Sequence, residues 1–184
     1  NYDDTLFRFF FFLMKISYIN IWKRENTIPE ISMERWYYML QMKGKQSVLF
    51  QEPVKIMSHA CVGGKKEGEG PIGKHLDLIV DDPMFGKENW EESESSFLKT
   101  AGEIAIRKGK KKKEDVRMAF CGDLLGQLIA SSFGIAELGI PYYGVYGACS
   151  SIGAALSIGA MTVNGGFADL VLTGCSSHFA SAEK

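Results

Sequence analysis

Residues 146–155 read Tyr-Gly-Ala-Cys-Ser-Ser-Ile-Gly-Ala-Ala and place Cys149 where an apolar strand turns sharply into a helix of small residues. A thiol at a helix start lies at the positive end of the helix dipole, which favours the thiolate. The small neighbours allow a substrate or a second backbone to come close. Two interpretations follow: a reactive or ligand-facing cysteine, or a buried structural one, since free cysteines are among the most buried residues.

Strands and helices alternate on both sides of this stretch. The clearest element is an amphipathic helix over Trp90–Lys108, which has acidic residues near its start and basic residues at its end. The other predicted helices cover residues 124–138 and 149–163, and the predicted strands cover residues 47–50, 54–62, 116–121, 142–146 and 169–174. A glycine-rich loop is predicted at 63–71. This alternation predicts an α/β fold with a mixed, mainly parallel sheet covered by helices.

Composition places the chain among ordinary globular proteins. It has 184 residues, of which 46% are hydrophobic and 23% charged, with a net charge of -1. This balance argues against nucleic acid or an anionic membrane as the main partner, because both attract clustered positive charge. The one basic cluster, at residues 107–113, is interpreted as the solvated end of a helix.

The four cysteines carry no metal-binding or disulfide pattern. Cys61, Cys121, Cys149 and Cys175 lack C-x-x-C spacing, and four are too few to form a disulfide framework in a chain of this length. We expect free thiols in a reducing compartment and no metal.

The segment Gly68–Lys74 matches the spacing of a phosphate-binding loop, but its chemistry does not fit one. His75 stands where that loop needs a hydroxyl residue for magnesium, and Glu67 and Glu69 would repel phosphate. No nucleotide cofactor, and no other cofactor, is expected.

Residues 1–41 differ in character from the rest. They are rich in aromatic residues and asparagine, and no period of 2 or 3.6 persists. The run Phe9–Met14 is far too short to span a membrane, and no signal-peptide cleavage pattern follows it. We interpret residues 1–41 as a non-native or read-through extension that packs on nothing and is dispensable, with residues 42–184 forming the domain. A short anchor on a membrane surface is the alternative.

Three loops leave the carboxyl ends of predicted strands, where ligands gather in open parallel sheets. They carry Asp123, Cys149 with Ser150, and the hydroxyl-rich stretch Ser176–His178. We therefore predict that Asp123, Cys149, Ser150, Ser176, Ser177 and His178 lie on one rim as the ligand-binding residues. For Asp123 a helix cap is an equal alternative, and a single histidine such as His178 is more often structural.

The chain resembles the stage V sporulation protein AD family, which belongs to the thiolase-like superfamily. The resemblance covers the amino-terminal half of that family's fold, from Met42 to Lys184. The matching stretches are Lys43–Gln46, Lys66–Gly73, Gly122–Leu125 with Gln127, Leu138–Pro141, Gly147–Ser150, Gly165–Ala168, Ser176–His178 and Ala182–Lys184. The chain departs from the family pattern at Gly126, Ile152, Gly153, Cys175 and Phe179, near the presumed pocket.

The resemblance implies a sporulation protein that binds dipicolinic acid, supports its uptake into the developing spore and its release in germination, and is not catalytic. The implied place is the forespore or spore, either soluble or peripheral at the inner membrane, with no transmembrane segment. Other proteins of the stage V sporulation A operon and a possible homodimer are the implied partners. Cys149 would occupy the superfamily's nucleophile position, so the alternative function is an acyltransferase or ketoacyl synthase-like enzyme that uses Cys149 as the nucleophile.

The resemblance also implies that a second, similar half would cover the helix after Cys149. We expect the 184-residue chain alone to expose that helix.

Overall fold

A computed structural model describes residues 42–50 and 53–178, together with the backbone of residues 10–15. The α-helices are α1 (Lys65–Glu69), α2 (Trp90–Lys108), α3 (Ile129–Leu138) and α4 (Ser151–Asn164). The strands are β1 (Phe10–Lys15), β2 (Met42–Lys43), β3 (Ser47–Val48), β4 (Lys55–Ala60), β5 (Val62–Gly64), β6 (Leu78–Val80), β7 (Met118–Asp123), β8 (Tyr142–Gly144) and β9 (Leu170–Ser176). Short 3-10 helices cover Gly73–His75, Lys113–Asp115 and Ala148–Ser150.

The main sheet has five strands in the order β4-β1-β9-β7-β8. Strands β9, β7 and β8 are parallel, whereas β1 runs antiparallel to both of its neighbours. Helices α2 and α3 pack on one face, and α4 packs on the other. The prediction of a mixed α/β fold is confirmed, and the fold is compatible with half of a thiolase-like domain.

Helix α4 uses its small residues to approach the sheet. Ala155, Gly159 and Val163 face inward and are buried, which lets the helix backbone lie close to β7 and β9. Its other face leaves Ile158 and Met161 exposed. The described chain therefore exposes an apolar side of α4, as the sequence predicts.

Strand β1 changes the interpretation of the amino-terminal segment. Phe10–Lys15 pairs with β4 on one side and with β9 on the other, so it lies inside the sheet. The expectation that residues 1–41 have no packing partner is therefore wrong for Phe10–Lys15. A short continuous apolar run is typical of an interior strand as well as of other buried segments, and periodicity alone does not separate them. The rest of residues 1–41 lies outside the described residues, and the origin of the segment stays a prediction.

The bounds of α2 agree with the sequence because both of its ends carry strong signals. Asn89 accepts a hydrogen bond from the amide of Glu92, and Gly109 follows the last residue. Helix α3 begins at Ile129, five residues later than predicted, because Gln127 and Leu128 adopt positive φ angles of 49° and 72°. The predicted loop 63–71 contains α1, and the predicted strand 47–50 is only the two-residue β3.

The segment Gly68–Lys74 has the spacing of a phosphate-binding loop, but its backbone folds back and contacts itself. A Cβ built at Gly73 would lie 1.9 Å from the carbonyl oxygen of Gly68, so the two backbones touch. A phosphate-binding loop needs amide hydrogens turned towards the ligand, whereas here a carbonyl oxygen faces the neighbouring glycine.

Candidate functional site

The turn before α4 is tight and strained. Ala148 has a φ of 46°, a left-handed conformation that non-glycine residues rarely adopt. The hydroxyl of Ser150 donates to the carbonyl oxygen of Gly147 at 2.6 Å, and the amide of Gly147 donates to the hydroxyl oxygen of Ser151 at 3.1 Å. These bonds hold the backbone around Cys149 in one shape.

Because Gly122 has no side chain, the end of β7 can lie in close contact with the residues around this turn. A Cβ at Gly122 would lie 2.1 Å from the carbonyl oxygen of Val145 and 3.3 Å from the Cβ of Ser151. Gly122 is also the partner of Cys175 in the β7–β9 register. The ends of β7 and β9 and the start of α4 therefore meet at one edge, where we predict the rim.

Cys149 is the exposed thiol among the four cysteines, all of which are free. Burial raises the pKa of Cys175 to about 12, with Asp123 and Glu94 adding to the shift, and burial also raises the pKa of Cys121 well above its usual range. Cys61 is buried as well. An added electrophile therefore reaches Cys149 far more readily than the other three thiols.

Asp123 is fully buried and accepts three hydrogen bonds. Its Oδ1 accepts from the amide of Leu128 at 2.9 Å, and its Oδ2 accepts from the amide and the hydroxyl of Ser131 at 3.1 and 2.8 Å. The Ser131 hydroxyl also bonds the hydroxyl of Tyr142 at 2.8 Å, and burial raises the pKa of Tyr142 to about 12. Asp123 is therefore not the N-cap of a helix that starts at residue 124: the N-cap position of α3 is Leu128, and Asp123 accepts amides at the start of α3 from outside the helix.

Ser176 lies beside Asp123 at the carboxyl edge of the sheet. The two residues are partners in the β7–β9 register, and the amide of Leu124 donates to the carbonyl oxygen of Ser176 at 3.0 Å. The buried hydroxyl of Ser176 donates to Oε1 of Glu94 at 2.6 Å. Ser177, the next residue, is partly exposed.

His178 is buried against the start of α2. Its ring lies 4.8 Å from the ring of Trp90, centroid to centroid, at an angle of 57°. Burial lowers the pKa of His178 to about 4, against smaller opposing effects of the Pro83 backbone and Glu91. The imidazole is therefore neutral near pH 7.

Acid should destabilise the protein through His178. Between its ordinary pKa of 6.5 and the folded value of about 4, the unfolded chain binds a proton here that the folded chain does not. The stability that this neutral group contributes is present above pH 6.5 and is lost as the pH falls, by up to about 3 kcal/mol. Chemical denaturation at pH 7 and at pH 4.5 measures how much the free energy of unfolding falls between the two. That fall should be smaller for His178→Gln than for the unmodified chain. A variant of the exposed His75, His75→Gln, should keep the full loss, and an equal loss in all three proteins would contradict the assignment.

In residues 42–50 and 53–178, no three His, Cys, Asp or Glu side chains are grouped so that they could hold a metal ion. None of the helices in this part combines the length and the apolar character that crossing a membrane requires.

The structure divides the predicted site residues into two groups. Cys149 and Ser177 are accessible at the rim, whereas Asp123, Ser176 and His178 are buried behind it. Ser150 is exposed, but its hydroxyl hydrogen is bonded to its own turn. Phe179, one of the departures from the family pattern, lies outside the described residues, as do the matching residues 182–184.

Sequence reasoning missed three supporting side chains, Glu94, Ser131 and Trp90. Trp90 and Glu94 were assigned only to a helix, although a carboxylate on the buried side of an amphipathic helix is a signal for a specific partner. The partner of Glu94 is 82 residues away in sequence, so spacing alone could not identify it.

Comparison with known proteins identifies the family. The family model for Stage V sporulation protein AD matches residues 44–184. The chain belongs to this family. A curated relative, Stage V sporulation protein AD of Bacillus subtilis (strain 168), is 32% identical over 145 residues, which cover 79% of this chain and 43% of the relative.

Family membership connects the chain with spore formation and confirms the family resemblance drawn from the sequence. The chain spans less than half the length of this relative.

Proposed function

We propose that this protein binds dipicolinic acid non-covalently at the rim around Cys149. In this proposal it supports uptake of the compound into the developing spore and its release in germination. The observation that carries the proposal is the position of Cys149, an exposed thiol on a fixed turn at the start of α4 and at the carboxyl edge of the sheet. This is a common place for ligands in such folds.

The chemistry of the rim suits a small dicarboxylate. Dipicolinate has two carboxylates flanking an aromatic ring nitrogen, so it needs hydrogen-bond donors at two ends and an apolar wall between them. The amides of Ser150 and Ser151 already donate within the turn, to the carbonyl oxygens of Gly147 and Ala148. The amides of Ala148 and Cys149 would therefore serve one end of the ligand, and Ser177 and its neighbouring backbone would serve the other. Tyr146 is exposed beside the turn and supplies an aromatic wall.

The buried groups have supporting parts in this proposal. Asp123 would repel a carboxylate directly, and its three hydrogen bonds instead hold the loop before α3. His178 is neutral and packs on Trp90, so it shapes the segment that carries Ser177. The proposed partners are other stage V sporulation A operon proteins at the spore inner membrane, and a homodimer is the proposed assembly.

Titration calorimetry with dipicolinate tests the proposal. Cys149→Ala should weaken binding by roughly threefold, since it removes one small contact and leaves the pocket open. Cys149→Trp should abolish measurable binding because the indole fills the rim, while the exposed position of Cys149 should leave the thermal midpoint nearly unchanged. The matched control is Ser157→Trp, which adds the same bulk on an exposed part of α4. Equal affinity of Cys149→Trp and the unmodified protein would contradict the site.

The second candidate function is acyl transfer with Cys149 as the covalent nucleophile. The accessibility of this thiol, set against three buried ones, favours it as the point of attack on a thioester. Incubation with an acyl thioester followed by intact-protein mass spectrometry separates the two functions. Non-covalent binding predicts no mass increase at Cys149, whereas a stoichiometric acyl adduct that is absent from Cys149→Ala would favour the enzyme.

A further inference from the structure

Glu94 is an unusual residue for the buried side of an amphipathic helix. Its side chain is 1% exposed, in the first turns of α2. A buried carboxyl group destabilises a fold unless hydrogen bonds compensate for the lost water, and an apolar side chain of similar volume is often as stable or more so. Its presence here therefore calls for a specific role beyond packing.

One hydrogen bond of Glu94 reaches the segment at the end of β9. Oε1 accepts the hydroxyl hydrogen of Ser176 at 2.6 Å, a short bond between two buried groups 82 residues apart. Ser176 is the last residue of β9 and directly precedes Ser177. The bond joins α2 to the segment that carries the accessible Ser177.

Trp90 reinforces the same segment from the same helix. It lies four residues before Glu94, so the two side chains occupy one face of α2. Trp90 packs against His178 while Glu94 bonds Ser176. One face of α2 thus holds both ends of the three-residue segment Ser176–His178.

Glu94 also borders the loop that follows β7. A Cβ built at Gly126 would lie 3.2 Å from Oδ1 of Asp123 and 3.8 Å from Oε2 of Glu94. The two buried carboxyl groups therefore converge beside Gly126, one fixing the start of α3 and the other fixing the end of β9. Movement of Glu94 would disturb both.

We propose that Glu94 is a positioning residue, which holds Ser176 and so sets the distance between the Ser177 segment and the Cys149 turn. The inference rests on the proposed binding of dipicolinate. It assigns the Ser176 hydroxyl to Glu94 rather than to the ligand.

Four variants of the full chain test this assignment by calorimetry with dipicolinate. Glu94→Met keeps the length of the side chain but removes the acceptor, and should raise Kd about tenfold. Glu94→Gln retains an acceptor oxygen and should stay within about threefold of the unmodified protein. Ser176→Ala should lose about as much affinity as Glu94→Met, and the double variant should lose no more than either, since the two residues act through one bond.

The matched control is Ser95→Ala. Ser95 is the neighbour of Glu94 on α2, is buried, and donates to the carbonyl oxygens of Glu91 and Ala130 rather than to the rim. It should lower the thermal midpoint without changing Kd. Unchanged affinity in Glu94→Met, additive losses in the double variant, or an equal loss in Ser95→Ala would overturn the positioning role.

A readout without ligand separates this inference from the proposed function. The ring protons of His178, assigned by comparison with a His178→Gln spectrum, should be shifted upfield by the ring of Trp90. Glu94→Met should reduce that shift, and Ser95→Ala should not. If the unmodified protein fails to bind dipicolinate but the shift changes as expected, the proposed ligand is wrong and the positioning role stands; an unchanged shift in Glu94→Met overturns that role.

Discussion

Phe12→Pro should abolish the cooperative unfolding of the 184-residue chain. Phe12 pairs with His59 of β4 and with Thr173 of β9, in the interior of the main sheet. Proline lacks the amide hydrogen that a strand between two neighbours needs, and it leaves a carbonyl oxygen inside the sheet without its donor, which costs about 1–3 kcal/mol. That is a large part of the roughly 5–15 kcal/mol that stabilises a typical domain. Thermal unfolding followed by circular dichroism gives the measurement.

The control keeps the amide and a strand-forming side chain. Phe12→Ile should unfold cooperatively, within a few degrees of the unmodified chain. A chain shortened to residues 42–184 should behave like Phe12→Pro, because β4 is joined to the rest of the main sheet through β1. Cooperative unfolding of that shortened chain at the original midpoint would contradict the role of β1 and restore the view that residues 1–41 are dispensable.

Asp123→Ala should have the second large effect, a loss of about 3 kcal/mol or more in the free energy of unfolding. The substitution leaves the half-buried amide of Leu128 and the buried amide of Ser131 without their acceptor, and it leaves the hydroxyl of Ser131 with Tyr142 as its partner. Each buried donor left without a partner costs about 1–3 kcal/mol. For a chain of this size the midpoint should fall by roughly 10 °C. Urea titration and calorimetric scanning both measure it.

Two comparisons isolate the cause. Asp169→Ala removes a carboxyl group from an exposed position next to β9 and should change the midpoint little. Ser131→Ala removes the hydroxyl but keeps the amide bond to Asp123, so its cost should be about 1 kcal/mol. If Asp123→Ala were no more destabilising than Asp169→Ala, Asp123 would not be the acceptor that fixes the start of α3.

The helices and strands whose ends are marked by nearby residues could be predicted from the sequence. Helix α2 has an amphipathic pattern, acidic residues near its start and basic residues at its end, and its predicted bounds agree with the structure. The strands β7 and β9 follow from short apolar runs between turn residues, within about two residues of their observed ends. Strand β1 was missed because an unbroken apolar run carries no period, and its pairing with β4 and β9 depends on residues far away in sequence.

The position of the candidate residues near one edge of the sheet could be predicted from the sequence, but the hydrogen-bond partners of each residue could not; the binding site itself stays a prediction. The carboxyl ends of parallel strands share one edge, so a rim with Cys149 and Ser177 follows from the order of strands. Which hydroxyls remain available depends on long-range partners, and Ser176 bonds Glu94 across the fold. The late start of α3 depends on positive φ angles at Gln127 and Leu128, which the side chains at those positions do not favour.

Hydrogen exchange with and without dipicolinate, read by mass spectrometry, tests the central claim most directly because it locates the ligand without a substitution. Binding at the rim predicts slower exchange in the peptides that cover residues 147–152 and 176–178, and no change in the basic cluster at residues 107–113. Protection confined to residues 107–113 would mean that the anion binds by charge alone, and either that result or no protection anywhere would contradict a dipicolinate site at Cys149.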